Sequence, residues 1–433
     1  MGQSVLSLSG TLLARIAARA GTPVYVYSAD AIGAQHRALR AALADIPHRI
    51  HYSVKANSSL AILDLVRGLG MGGDIVSGGE LARALRAGFP ASDLVFSGVG
   101  KRADELSAAV AAGVGLINLE SDGELEALAS VARGGTRVNV GIRVNPDVTT
   151  ETHPYTQTGK SGMKFGVPLD QVVPLARRLG RTPGLELCSL GMHIGSQISD
   201  AAPYRCGAEK LEALVETVRG QGVTTLTSVD VGGGLAIDYG RGPALDLALF
   251  ADAVAPLARA TGLMVLMEPG RFLVGNAGVL LTRVLYHKRS GGREIVVADA
   301  GMNDLMRPSL YQAYHEITVV NSAPISLHPP PPTSTTSTPR GSAPEGLVDV
   351  VGPNCESGDF LALGRPLPAA PPGTLLAVLG AGAYGFGMSS HYNSRPRAAE
   401  VLVAGERFGI FRERETTADL MRGETTAPVW ETA

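Results

Sequence analysis

Cysteine is scarce in this chain of 433 residues: Cys188, Cys206 and Cys355 are the only three. An odd, widely spaced set is no disulfide framework, and no C-x-x-C pair suggests zinc. An excess of charge of either sign is also lacking. Lys and Arg number 38 and Asp and Glu 40, a formal net charge of -2, which argues against a nucleic-acid or acidic-membrane binder. No apolar run approaches the ~20 residues needed to span a bilayer. Residues 1–10 place no basic residue ahead of their short apolar stretch, a poor secretory signal. Together these absences lead us to expect a reduced, cytoplasmic protein.

What is present is ample core material: 45% of residues are hydrophobic, enough to exclude a chain disordered as a whole. At ~100–200 residues per domain the length suggests two or three domains. Eight β-rich runs recur at residues 49–56, 73–77, 94–98, 115–121, 138–146, 185–195, 228–234 and 263–270. Between them, stretches such as 59–68, 80–88, 103–113, 122–133 and 204–221 repeat Leu, Ala and Val at i, i+3, i+4, the spacing of one-sided helices. Eight strand–helix units fit a (β/α)8 barrel. An open doubly wound sheet is the competing architecture. The run ends decide between them. Lys55, Ser77, Glu120, Asn145, His193, Gly232 and Glu268 all stand where an apolar run meets its polar end, and a barrel would gather those ends on one face.

After about residue 276 the runs at 279–288, 294–299, 316–321, 347–351, 374–379 and 399–404 follow one another without intervening helices, as in a β-sandwich or small β-barrel. The run at 24–27 (VYVY), ahead of a helix at 29–44, is expected to join that β domain. The expected division is therefore a barrel at 29–276 and a β domain of 1–28 with 277–433. Within it, the Pro/Ser/Thr-rich stretch 327–345 reads as a surface loop, with a ligand for a polyproline-binding partner as its functional alternative.

Several residues carry chemistry on their own terms. Lys55 follows alternating buried positions, and desolvation would lower its amine pKa and make it a nucleophile for carbonyls; the alternative is a lysine snorkelling from a strand end. Glycine-rich turns at Gly195-Ser196, at Gly232, Gly233 and Gly234, and at Gly270-Arg271 would let backbone N–H groups approach an anion. None opens a first βαβ unit as G-x-G-x-x-G, so a dinucleotide site is not expected. Glu268 must be paired, either with Arg271 or with a cationic ring nitrogen, or it would protonate. His193 could be a base or a flat stacking surface; no second ligand at metal spacing accompanies it, so no metal is expected.

The joint set of motifs is far more specific. Residues 52–57 (YSVKAN), 73–80 (GDIVSGGE), 191–197 (GMHIGSQ), 230–234 (DVGGG), 268–271 (EPGR), 307–311 (RPSLY), 352–359 (GPNCESGD), 382–384 (GAY) and 392–396 (YNSRP) come in the order of a known family and span nearly the whole chain. The chain resembles the fold-type-III pyridoxal-phosphate decarboxylases, and most closely the diaminopimelate decarboxylase group within them. The resemblance implies pyridoxal 5'-phosphate as cofactor, held covalently by Lys55, with His193 against one ring face and Asp74 among the cofactor-binding residues. Ser196, Gly232, Gly233, Gly234, Gly270 and Tyr384 would hold the phosphate, with Arg271 nearby. Glu268 would bond the pyridine nitrogen; a racemase of this barrel class presents an arginine there, so the acid favours decarboxylation. Arg271, Arg307 and Tyr311 would hold the substrate's distal carboxylate, with Tyr384 beside them, and Glu356 its distal ammonium. Cys355 would sit beside the reacting carbon and help return a proton.

The same resemblance implies a homodimer in which the Cys355–Glu356 segment completes the neighbouring subunit's site, and a loop at 153–166 that closes over substrate. The implied reaction is decarboxylation of meso-2,6-diaminopimelate to L-lysine and CO2, the last step of lysine biosynthesis. Decarboxylation of another amino acid, free or carrier-linked, is the alternative; a non-catalytic relative that binds a partner is a third. Three departures from the family pattern stand out: Met163 before Lys164, the Pro/Thr-rich insertion, and Ser53 near Lys55, which is expected to be neutral.

Overall fold

The computed structural model describes residues 7–132, 137–150, 158–160, 162–328, 347–428 and 430–431. The chain divides into two compact units, Ala29–Ala277 and a second made of Met1–Ser28 with Gly278–Ala433.

The first unit is a closed parallel barrel. Its eight strands are His48–Ser53, Gly72–Ile75, Leu94–Phe96, Leu116–Leu119, Val138–Asn145, Leu185–Met192, Ser228–Asp230 and Met264–Met267. Each pairs in parallel with the next, and Met264–Met267 returns to His48–Ser53 to close the ring. The strands are short and almost wholly buried because helices cover their outer faces and side chains fill the lumen.

Local chemistry starts and stops the helices. The Ser77 and Ser121 hydroxyls accept the Glu80 and Glu124 N–H groups at the heads of helices Gly78–Arg86 and Asp122–Val131. These are Ser-x-x-Glu caps, which satisfy donors that the first helical turn leaves open. Helices Ala103–Ala112 and Leu247–Thr261 end on Gly113 and Gly262 in left-handed backbone, at φ +75° and +67°. Helices Leu169–Leu179 and Leu247–Thr261 each contain a proline, Pro174 and Pro256, and the sequence reading does not name them. Tyr204 and Phe250 join two outer helices edge to face, centroids 4.9 Å apart.

The second unit is built on a mixed sheet. Val24–Ser28, fully buried, runs antiparallel to Gly278–Ser290 and parallel to Ala399–Ala404. The 13-residue strand Gly278–Ser290 bends at a bulge between Val284 and Tyr286. Its first half pairs with Val24–Ser28 and Leu375–Val378, its second with Arg293–Ala298. The N-terminal strand thus belongs to the β unit, as its alternating aromatics suggest. Three α-helices among the described residues depart from the all-β expectation: Gly10–Ala20, whose Leu12, Leu13, Ile16 and Ala17 form a buried stripe, the short Arg307–Tyr311, opened by Pro308, and the single turn Thr417–Leu420. The 327–345 loop falls outside the described residues except for Leu327 and His328.

Candidate active site

The C-terminal ends of the barrel strands bring an amine, an imidazole and three carboxylates together. The Lys55 amine, one turn past the first strand, lies 3.0 Å from Asp74 Oδ2, at the end of the second. Its side chain is 33% exposed, so Lys55 is not stripped of water as the sequence reading expects; a fully buried carboxylate holds it instead. Ser53, expected to be neutral, donates to the same Asp74 oxygen at 2.7 Å. Two donors on one oxygen fix the carboxylate's orientation and, through it, the lysine.

Glu268 ends the eighth strand and is buried, with the Ser97 hydroxyl 3.4 Å away. Burial pushes its carboxyl well above the usual range; the nearby Asp230 and Asp74 push it further, while Lys55 and Arg143 pull it back. Asp230, at the end of the seventh strand, is pushed up by burial to about 6, although the Gly232 N–H donates to its Oδ1 at 2.7 Å. Asp230 Oδ2 and Asp74 Oδ1 are buried without a hydrogen-bond partner. These three buried acids share Lys55 and Arg143 as their nearby cations, and burial holds Glu268 and Asp230 above the ordinary carboxyl range.

His193 lies at the end of the sixth strand. Burial, then Arg143 and Lys55, hold its imidazole well below its ordinary pKa, so it is neutral. Thr158 Oγ is 3.2 Å from its Nδ1 and donates to its backbone carbonyl at 2.7 Å, which fixes the ring.

The glycine turns meet one another. A Cβ on Gly234 would stand 2.4 Å from the Gly195 carbonyl oxygen, one on Gly233 2.1 Å from that of Glu268, and one on Gly270 2.8 Å from Ala56 Cβ. These turns pack backbone against backbone where any side chain would intrude. Beside them, Gln197 has left-handed backbone at φ +62°, rare without a functional constraint. Arg271, buried, donates to the Tyr239 hydroxyl at 2.7 Å and to Ser196 Oγ at 3.0 Å. The cations that act on Glu268 are Lys55 and Arg143; the sequence reading weighs Arg271 for that place.

Glu120 is one of the strand ends expected on this face and Asp230 opens the 230–234 motif, but the sequence reading gives neither a role, and Arg143 is not singled out at all. Glu120 Oε1 accepts from Arg143 at 2.9 Å and from the Gly98 N–H at 2.9 Å; its Oε2 accepts from the Gly166 N–H at 3.0 Å. Arg143 lies over the Phe165 ring at 4.9 Å. The described end of the 153–166 segment is therefore tied to the barrel, and Asn145 adds donations to the Lys160 and Phe165 carbonyls. Residues 153–157 and 161 of that segment are outside the described residues. One signal for Arg143 exists: it is the one charged residue in the strand Val138–Asn145.

A cavity of about 400 Å³ opens at the other ends of the strands, lined by His51, Leu94, Cys188 and Leu266 among others, and none of the acids described above reaches it.

In the β unit, Arg307 is buried and donates to His315 Nε2 at 2.8 Å. His315 Nδ1 faces the Leu379 carbonyl at 2.8 Å, so that nitrogen carries the proton and Nε2 accepts. Tyr311 closes the same short helix. Cys355 and Glu356 are exposed on one loop, and Tyr384 has left-handed backbone at φ +55°.

A cationic nitrogen-containing ring with a phosphate tail fits the barrel site. Its nitrogen would meet Glu268, and its positive charge would answer the buried, unpartnered oxygens of Asp74 and Asp230. Residues 29–275 match the family described as pyridoxal-dependent decarboxylase, pyridoxal binding domain. A diaminopimelate decarboxylase of Pseudomonas aeruginosa is 44% identical over 98% of this chain and 97% of its own. That of Aquifex aeolicus is 42% identical over 95% and 93%. The crystal structure of diaminopimelate decarboxylase from Helicobacter pylori complexed with L-lysine superposes with a TM-score of 0.85, at 36% identity over 93% of this chain and 96% of that one.

Proposed function

Because the chain belongs to the pyridoxal-dependent decarboxylases, and within them to the diaminopimelate decarboxylase family, we propose that it removes the carboxyl group at the D-configured centre of meso-2,6-diaminopimelate, releasing L-lysine and CO2. The observation that carries this reading is Glu268, a buried acid at the end of the eighth strand beside Asp230 and Asp74.

Pyridoxal 5'-phosphate, when bound, supplies an electron sink for the pair left behind as CO2 departs. Lys55 anchors it through the aldehyde, and Asp74 with Ser53 keeps the amine aligned. Glu268 holds a proton at the ring nitrogen and so keeps the ring cationic. The neutral His193 covers one ring face without adding charge. Ser196, Gly232, Gly233, Gly234, Gly270, Arg271 and Tyr384 would hold the phosphate.

Substrate choice falls to Arg271 of the barrel unit together with residues of the other unit. Arg307 and Tyr311, with Arg271 and Tyr384, take the distal carboxylate; the planar guanidinium matches it with two parallel bonds. Glu356 takes the distal ammonium, and Cys355 returns the proton to carbon. In this reading the enzyme is a cytoplasmic homodimer whose partner supplies the Cys355–Glu356 segment. Among the described residues no helix is long and apolar enough to cross a membrane.

CO2 release from meso-, LL- and DD-diaminopimelate, ornithine, lysine and arginine tests the proposal, together with Arg307→Ala. Release confined to the meso isomer, and lost in Arg307→Ala while borohydride still fixes the cofactor to Lys55, is expected. Release from ornithine alone overturns the substrate assignment.

A further inference from the structure

The motif at residues 392–396 (YNSRP) has no part in the reaction as described, yet it makes three successive contacts with the loop that carries Cys355 and Glu356. Asn393 Oδ1 accepts the Cys355 N–H at 2.7 Å. Arg395 donates to the Pro353 carbonyl at 3.2 Å. The Tyr392 hydroxyl reaches Glu356 Oε2 at 3.5 Å. The motif's backbone is unusual: Asn393 and Ser394 are consecutive non-glycine residues in left-handed conformation, at φ +55° and +54°. Asparagine tolerates that region and serine seldom does, so the surroundings impose it.

The loop is held from its other side as well. Asp359 accepts the Asn354 and Met302 N–H groups, each at 2.6 Å. Ser309, inside the helix that carries Arg307 and Tyr311, donates to the Gly358 carbonyl at 2.6 Å. One loop is thus fixed between the 392–396 motif and the arginine-bearing helix.

We propose that Asn393 is a positioning residue: its amide oxygen, presented by a left-handed turn, sets the backbone of Cys355 and so the placement of the thiol and of Glu356. The proposal rests on the reading that Cys355 and Glu356 act at the active site. Misplacement of a reacting group by about 1 Å costs up to about a hundredfold in rate.

The test uses the full chain saturated with pyridoxal 5'-phosphate, and three variants. Asn393→Gly keeps the backbone conformation and deletes the acceptor; Asn393→Asp keeps both; Cys355→Ala removes the thiol. Expected for Asn393→Gly are a kcat lower by about ten- to a hundredfold, an unchanged cofactor absorbance, and faster amide hydrogen exchange in residues 353–358. Asn393→Asp should restore both rate and protection. Wild-type kcat and exchange in Asn393→Gly, with Cys355→Ala impaired, overturn the positioning role. Equal damage in the Gly and Asp variants also overturns it, because the acceptor is then irrelevant. Wild-type turnover in Cys355→Ala instead removes the premise that Cys355 belongs to the site.

Discussion

Gly233→Ala is a single added methyl whose effect the structure lets us work out. The glycine's Cβ would stand 2.1 Å from the Glu268 carbonyl oxygen, 3.0 Å from its carbonyl carbon and 3.6 Å from the Pro269 nitrogen. Gly233 does not have left-handed backbone, so the penalty is steric and not torsional. Real Cβ atoms essentially never approach closer than 3.0 Å, so the seventh and eighth strand ends must separate by about 1 Å. The displaced carbonyl belongs to Glu268 itself, and the carboxyl that serves the ring nitrogen moves with it. Overpacking of this kind costs about 1–3 kcal/mol of stability. A 1 Å displacement at the reacting centre costs up to about a hundredfold in rate. The assay is cofactor titration by absorbance, with kcat and Tm measured on the same preparations. Gly68→Ala is the control: its Cβ meets nothing within 4 Å, and Ala suits a helix better by about 0.5–1 kcal/mol. Wild-type cofactor affinity and kcat in Gly233→Ala would refute the steric reasoning.

Two further outcomes concern stability. His51, 4% exposed, is pushed down to about 4 by burial and by Arg49. Its contribution is fully present above pH 6.5 and is lost as the pH falls through 4, about 3 kcal/mol over that window. Glu80 and Asp304, each pushed up to about 7 by burial, act in the opposite sense between pH 4.5 and 7. The measurement is therefore a difference: urea midpoints at pH 7 and 4.5 for wild type and His51→Phe, the variant losing less on acidification. Lys101, whose side chain is fully buried, lies 2.8 Å from Glu124 and donates to the Gly98 carbonyl at 2.6 Å. Lys101→Met strands that carboxylate and should cost about 3–5 kcal/mol, while Lys101→Met with Glu124→Gln should recover most of it by the same urea titration.

The barrel was legible because each strand is a β-rich run ending in a polar residue, and because one-sided helical spacing fills the stretches between the runs. The strand at Val24–Ser28 could be assigned to the β unit from its pattern, whereas the Gly10–Ala20 helix was not read at all. Lys55, His193 and Glu268 stood out singly, but only the joined motifs chose among the alternatives each left open. The electrostatics were less so. Arg143 and its partner Glu120 are 23 residues apart, and so are Lys101 and Glu124. Such spacings carry no local signal; they become contacts only when neighbouring barrel units stand side by side. The same reason put Arg271 forward as the partner of Glu268: adjacency along the chain suggested it, while the fold aims its guanidinium at Tyr239 and Ser196. Ser53 looked inert until the second strand brought Asp74 beside it.

The place of Val24–Ser28 between Gly278–Ser290 and Ala399–Ala404 has a consequence for synthesis. This segment leaves the ribosome early, and its last sheet neighbour follows more than 370 residues later. At about 5–20 residues per second it waits tens of seconds with at least one edge unpaired. Five residues rich in valine and tyrosine are a template for unwanted pairing during that delay. The barrel, contiguous in sequence, can close meanwhile, so the order of birth makes the β unit the last to be finished and the step at which chaperones matter most.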